Sequence, residues 1–337
     1  MRSANDGDIH PMNAPSASAR RRRIVVFGAG GAHRTEAAIA RGVRSLGHRC
    51  LLIDVPGTSR LLGRFAGRFI QWRIDQFGAD TILLTRYAAA LDDHTLIAVT
   101  RQRESTLWFF DLVERPAERI LRLGRAAGAV FVTCPSQIEL YTEAGIPSVK
   151  FLPQACDPAF DVPASYAPSR YRCDVSFIGS GQYRYRHELL RAVAGTCNLQ
   201  IRGPGWDSVR ALPVVGGTIR GARFSRVVRG ASISLGANAT EQQWSARACT
   251  SNRLWKVLGC GGFYLGPRVP DVNRLARGGE HCVWYDSNTE AVELIRHYLA
   301  DHSGRADIAA AGLAHALAAH TYAHRLQLLL SGVAYPL

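Results

Sequence analysis

Arg23–Gly30, RIVVFGAG, and Asp174–Gly181, DVSFIGSG, decide the fold. Each is a short apolar, β-branched run that stops on glycines. A continuous apolar run of this length suits a strand buried on both faces. Outward from the first, "RTEAAIARGVRSLGH" has helical spacing, and "RCLLIDV" is a second strand ending in Asp54. "GRFAGRFIQWRIDQFG" is helical and "ADTILLTR" is a strand. "LDDHTLIAVTRQR" is helical, and "STLWFFDL" is a strand running into Asp111. "AERILRLGRAAG", "AVFVTC", "PSQIELYTEAG" and "SVKFLPQA" continue the alternation to residue 155. Prolines 158, 163 and 168 then interrupt it. After residue 172 it restarts with "DVSFIGS", "RHELLRAVAG", "LQIRGPG", "ARFSRVVRGA" and "SISLGAN". Alternating strands and helices predict open parallel sheets covered on both faces.

The expectation is therefore an α/β chain of two Rossmann-like, doubly wound domains facing across a cleft. The tail is 1–20 and the first domain 21–155. The linker is 156–172 and the second domain 173–330. At 337 residues the chain is long enough for two domains. The tail is rich in Ser, Ala, Asn and Pro and predicts disorder. It lacks the apolar core of a signal peptide, and no apolar run reaches the length of a membrane span. These features predict a cytoplasmic protein. The Arg20–Arg23 run leaves room for peripheral contact with an anionic membrane, although a solvated flank before a strand explains it too.

The net charge is +14, and only Lys150 and Lys256 are lysines. Arginine forks suit phosphates and carboxylates, so anionic partners are expected. Part of the bias has a simpler source in a GC-rich genome. Eight cysteines sit in apolar segments with no C-x-x-C pair, as small core hydrophobes rather than a disulfide framework or zinc site. His320 and His324, four apart, lack a third ligand within reach and read as helix-surface residues.

Three glycine-rich or helix-start segments are candidate anion sites. "GAGGAHR" (Gly28–Arg34) follows the first strand. It resembles the opening of a dinucleotide fingerprint, with Asp54 placed for a ribose, but His33 stands where the last glycine belongs. "FIGSGQYRYR" (Phe177–Arg186) has the same design and leads into Arg184 and Arg186. Backbone N–H groups flanked by arginines would hold a diphosphate; a solvated basic helix start is the alternative. "IRGPGW" (Ile201–Trp206) is either a loop for close ligand approach or a packed turn. "TSNRLWKVLGCGGFYLG" (Thr250–Gly266) is a helix capped by Ser251. Its early turns carry Arg253 and Lys256, each costing about 0.3–1 kcal/mol at that end. A bound anion would reverse that cost.

Taken in order, "WFFD", "FLPQACDP", "RYRCDVSFIGS", "GPGW", "TSNRLWKVLGCGGFYL", "HCVWYD" and "HTYAHRL" resemble group-1 glycosyltransferases of the CgeB-like (spore maturation protein) branch. The resemblance covers about residues 23–330. It implies a GT-B fold, with a nucleoside-diphosphate sugar held by the second domain and the acceptor by the first. It implies sugar transfer, by retention, to a glycan, lipid or protein, without metal or other cofactor and without nucleic acid. Carried over, it places Gly179, Ser180, Arg184, Arg186, Ser251, Arg253, Lys256, Gly261 and Gly262 at the donor. Gly30, Gly31 and His33 face the transferred sugar. If the reaction inverts, it needs a base, and His33 or Asp111 would serve. The family's Glu is Lys256 here, and the partner acid eight residues earlier is Ala248. Lysine cannot accept from ribose hydroxyls but could bind a phosphate. The competing reading is an NAD- or FAD-binding oxidoreductase using Gly28–Gly31 and Asp54.

Overall fold

The computed structural model describes residues 20–207, 209 and 211–337. The tail expectation therefore lies almost wholly outside the described residues. The first sheet contains β1 (Arg23–Gly28), β2 (Arg49–Asp54), β3 (Thr81–Leu84), β4 (Glu104–Phe109), β5 (Ala129–Val132) and β6 (Val149–Phe151). All pair in parallel, in the order β2-β1-β3-β4-β5-β6. The second contains β7 (Cys173–Ile178), β8 (Leu199–Arg202), β9 (Val214–Gly216), β10 (Ala231–Leu235), β11 (Tyr264–Pro267) and β12 (Val283–Tyr285). It is also parallel, in the order β12-β11-β10-β7-β8-β9.

The covering helices are α1 (Thr35–Ser45), α2 (Val55–Leu62), α3 (Ala66–Phe77), α4 (Asp93–Thr100), α5 (Glu118–Ala126) and α6 (Gln137–Glu143). In the second half they are α7 (Arg186–Ala194), α8 (Ala222–Gly230), α9 (Asn252–Gly259), α10 (Asn288–Ala300), α11 (His302–Ala319) and α12 (Tyr322–Leu330). Strand β9 and helix α2 were not evident from the sequence. Asp54 creates α2 by capping it: its carboxylate accepts from the Gly57 N–H at 3.0 Å, and Pro56 stands in the first turn.

Pleating explains the continuous apolar strands. Ile24 and Val26 enter one core with α1, whereas Val25 and Phe27 enter another with Ile70 and Ile74 of α3. The core containing Ile24 also takes in Leu254, Trp255 and Leu258 of α9, so apolar packing runs unbroken between the two sheets.

The chain end makes that possible. Helix α12 returns to pack on α1, and Gly42 is the contact: a Cβ there would lie 2.8 Å from Leu326 and 3.2 Å from the Ala323 nitrogen. Cys156 N–H donates to the His320 carbonyl at 2.9 Å, and Tyr322 N–H donates to the Cys156 carbonyl at 3.2 Å. Arg325, fully buried, donates to the carbonyls of Pro153 and Ala319 and to His320 Nδ1 at 2.6 Å. His320 stacks on Trp255 with centroids 4.1 Å apart. It is thus a buried core residue, not the helix-surface residue expected, because the chain breaks at Thr321 and tucks the ring inward. Burial, then the Arg325 charge, pushes its pKa well below the usual imidazole value. His324 completes a capping box with Thr321. Among the described residues, no group of His, Cys, Asp and Glu could hold a metal, and all eight cysteines are free.

Candidate functional site

Each sheet has a point where strand order reverses, and crevices open there at the strands' C-terminal ends. In the second sheet it lies between β7 and β10, where Gly179 follows Ile178 and Gly236 follows Leu235. Two guanidiniums converge on it. Arg253 donates from Nε to the Ile178 carbonyl at 2.7 Å and lies 4.5 Å above the Phe177 ring. Its Nη2 reaches the place a Gly179 Cβ would occupy, at 2.6 Å. Arg186, from the start of α7, donates to the Ser180 carbonyl at 3.1 Å and packs over Phe177 and Tyr183. Arg186 Nε, Arg253 Nη1 and Asn238 Nδ2 are buried donors without a partner among the described residues.

The electrostatics are one-sided. Burial lowers the Arg253 pKa. Burial, then the charge of Arg253, pushes Arg186 down to about 9. The groups that act on this pair are each other and Tyr183, Tyr264 and Tyr285; no carboxylate is among them. Two desolvated cations side by side without an acid are costly unless an anion joins them. A multiply charged anion would offset that cost, and the starts of α7 and α9 would add N-terminal dipoles to its seat.

Ser251 caps α9 as expected, accepting from the Arg253 N–H at 3.3 Å. Arg184 is exposed beside the crevice and has no ion-pair partner among the described residues. Gly261 and Gly262 do not join the cluster. They form the turn at the far end of α9, about 12 Å along its axis, where a Cβ on Gly262 would strike Val228 at 2.3 Å. Lys256 is turned away from the arginines. It forms an ion pair with Asp161 of the linker, a carboxylate 3% exposed, and sits 5.0 Å over Phe224. Lys256, expected at a phosphate, has its ammonium engaged by that carboxylate. Trp206 is core as well: its indole donates to the Gly179 carbonyl at 2.9 Å and meets Phe177 edge-on. Gly203, with φ +145°, lets its loop press on the Gly179 loop, since a Cβ there would lie 1.9 Å from the Gly179 oxygen. "IRGPGW" is therefore a packed turn that props the Gly179 loop.

The first sheet reverses between β1 and β3. Its crevice holds Gly30, Gly31 and His33. Arg34 Nε donates to the Gly30 carbonyl at 2.9 Å, and its Nη1 to Tyr87 Oη at 3.0 Å. His33 meets Phe160 edge-on at 4.5 Å and lies against Gly221 of the second domain. Asp111 is engaged by Arg86 at 2.8 Å. Asp54 does not await a ribose: its carboxylate caps α2 and lies 2.4 Å from where a Gly30 Cβ would be. That removes the acid on which the dinucleotide reading depended.

Two residues at these crevices went unremarked in the sequence. Asn238 was hidden in the tail of a strand. Glu36, in the first turn of α1, is 4% exposed, with its pKa raised by burial against the pull of Arg86 and Arg34. Glutamate at that turn is ordinary helix chemistry, so only tertiary placement marks it.

The linker ties the two crevices together. Arg41 of α1 forms an ion pair with Asp157 and stacks at 4.5 Å on Phe160, while Lys256 of α9 holds Asp161. Cys134 and Cys249 also meet across the domain boundary; that thiol contact is the main cause of a Cys134 pKa lowered to about 7.

Residues 184–331 match the family model described as glycosyl transferase-like. The match marks a transferase enzyme. Solved structures with the same frame include the Anabaena protein HepE in complex with UDP-glucose, at 14% identity and TM-score 0.64, covering 93% of this chain and 100% of that one. A sucrose-phosphate synthase from Thermosynechococcus elongatus gives 13% identity and TM-score 0.61, covering 92% and 98%. A glycosyltransferase from Rickettsia africae gives 8% and 0.63, covering 93% and 98%. The fold is GT-B. No curated protein sequence matches the chain significantly. In this GT-B enzyme two parallel six-stranded sheets are each flanked by helices, as the fold expectation required.

Proposed function

We propose that this chain transfers a sugar from a nucleoside-diphosphate sugar, held by the second domain, to an acceptor held by the first. The observation that carries this is the pair Arg186 and Arg253: adjacent, desolvated, without a carboxylate, and with orphaned donors at the mouth of β7 and β10. A diphosphate satisfies those donors and neutralises both charges. As the sugar–oxygen bond breaks, charge grows on the leaving diphosphate, and fixed guanidiniums in a dry crevice stabilise it. They supply the positive charge a metal would otherwise bring, so the reaction proceeds without one and EDTA leaves the rate unchanged. The glycosyl transferase-like match over 184–331 covers Arg186 and Arg253. The HepE complex makes a UDP-sugar the first donor to test.

The departure at Lys256 belongs to this reading. Its ion pair with Asp161 ties the donor helix to the linker, so the ribose is gripped elsewhere than in the related enzymes. Asn238, with its free Nδ2 at the same mouth, is one group able to reach it. We favour retention, because the first-domain acid Asp111 is already tied to Arg86 and His33 is wedged between Phe160 and Gly221. Anomeric configuration by NMR tests this, and an inverted product rejects it. A hydrolysis screen over nucleotide-sugars tests the whole: release of nucleoside diphosphate from at least one donor is expected, abolished in Arg253→Ala. Release that persists in that variant would put the donor site elsewhere.

A further inference from the structure

Helices α2 and α3 carry exposed apolar side chains that nothing among the described residues covers. Leu61 is 81% exposed, Phe65 55%, Phe69 36% and Trp72 54%. Phe65, Phe69 and Trp72, spaced four and three apart, share one side of α3 and its entry turn, and Leu61 stands on α2 before the chain turns at Gly63 (φ +50°). The opposite side is satisfied: Ala66, Ile70 and Ile74 are buried beneath the sheet. The stripe is therefore not an internal face left unfilled. Phe69 and Trp72 touch each other, with ring centroids 5.7 Å apart.

Arginines flank the stripe on both sides. Arg60, Arg64, Arg68 and Arg73 are all exposed, and none makes an ion pair among the described residues. The Arg64 guanidinium lies 4.9 Å from the Phe65 ring centroid and that of Arg73 5.8 Å from Phe69's, cation–π contacts that keep both charges at the edge of the stripe. The one acid between residues 55 and 77 is Asp75, and Arg103 holds it at 2.6 Å. Exposed aromatic and leucine side chains bordered by unpaired arginines suit the boundary between lipid headgroups and acyl chains; Asp92, the acid beside Gly67 of α3, is engaged in capping α4 through the Thr95 N–H. A protein partner would need acids spaced to both rows; an anionic bilayer supplies negative charge at every spacing.

We propose that α2 and α3 dock the first domain on an anionic membrane surface. Leu61, Phe65, Phe69 and Trp72 enter the interface, and the four arginines lie among the headgroups. Two of the four arginines in the Arg20–Arg23 run are engaged within the fold: Arg22 is paired with Glu104, and Arg23 lies against the Gly78 turn. The docking helix starts at Asp54, whose carboxylate touches the Gly30 loop. A docked domain thus holds its crevice close to the headgroups, within reach of a lipid-linked acceptor; this last step alone rests on the sugar-transfer reading.

The test is sedimentation of the full chain with phosphatidylcholine vesicles, with and without phosphatidylglycerol, at low and high salt. Binding is expected with phosphatidylglycerol only and should weaken with salt. Arg64→Glu/Arg68→Glu should lower the partition by about five-fold per arginine. Phe65→Ser/Trp72→Ser should abolish quenching of tryptophan emission by brominated lipid. These side chains are exposed, so thermal unfolding should be unchanged. Nucleotide-sugar hydrolysis without vesicles should also be unchanged, which keeps the outcome separate from that of the sugar-transfer reading. A wild-type chain that stays in the supernatant with anionic vesicles overturns the proposal. So does equal sedimentation of the charge-reversed chain, since another surface would then be responsible.

Discussion

Arg186 and Arg253 each bond one backbone carbonyl and pack on Phe177, yet their charges meet no acid among the described residues. Residues that destabilise their own surroundings mark function, because burial without a partner is tolerated only where a ligand completes the site. Arg253→Ala should lower turnover by about 100-fold or more with an unchanged circular dichroism spectrum. Arg186→Met should act in two directions. Without ligand it removes a desolvated charge and should raise Tm by about 2 °C; nucleoside-diphosphate affinity, measured by calorimetry, should fall. A matching loss of stability in both variants would mean the arginines are structural. Glu36 gives a pH signature. Its folded pKa is raised by burial, so its contribution to stability is fully present below the ordinary carboxylate value and is lost as pH rises through the folded value. Glu36→Gln should therefore unfold at a higher temperature than wild type at pH 7.5, with the difference vanishing near pH 4. A constant offset across that range would deny the shift.

Among the elements, α9 changes meaning most between sequence and structure. Its two early cations suggested one shared anion. The helix instead divides them: Arg253 points to the β7 crevice, and Lys256 points to the linker carboxylate of Asp161. The positions are three apart on one helix, yet the Phe177 ring receives one and the Phe224 ring the other. Lys256→Glu, which restores the acid of the related enzymes, should not restore a ribose grip. It sets two carboxylates together in a mostly buried place and should cost about 2–3 kcal/mol, read by urea unfolding. Lys256→Glu/Asp161→Lys should recover most of that loss. Failure of the swap to recover stability would show that the ion pair is not what holds helix to linker. Which acid faces Lys256 was invisible in sequence, because Asp161 is 95 residues away and sits in a proline-rich stretch that carries no periodic signal.

At the scale of the molecule, two sheets are joined by one linker and one returning helix. The close contact at Gly42 lets α12 lie on α1, and the buried Arg325 binds the linker carbonyls beneath it. Gly42→Val should push α12 away, since the added atoms meet the Leu326 side chain and the backbone of Tyr322 and Ala323. Proteolysis near residues 320–322 should then become rapid, with Tm falling by several degrees. Unchanged protection would locate the domain clamp elsewhere.

The sequence by itself determined the strand–helix alternation and the two glycine-ended strands. These depend on hydrophobic period and turn chemistry, which are local. It also brought Gly179, Ser180, Arg186 and Arg253 into one hypothesis. Only the tertiary structure decided that the arginines lack an acid, that Lys256 has one, that Asp54 is a helix cap and that His320 is core. Those facts depend on which distant groups share a desolvated space, and the order of residues along a chain does not set that.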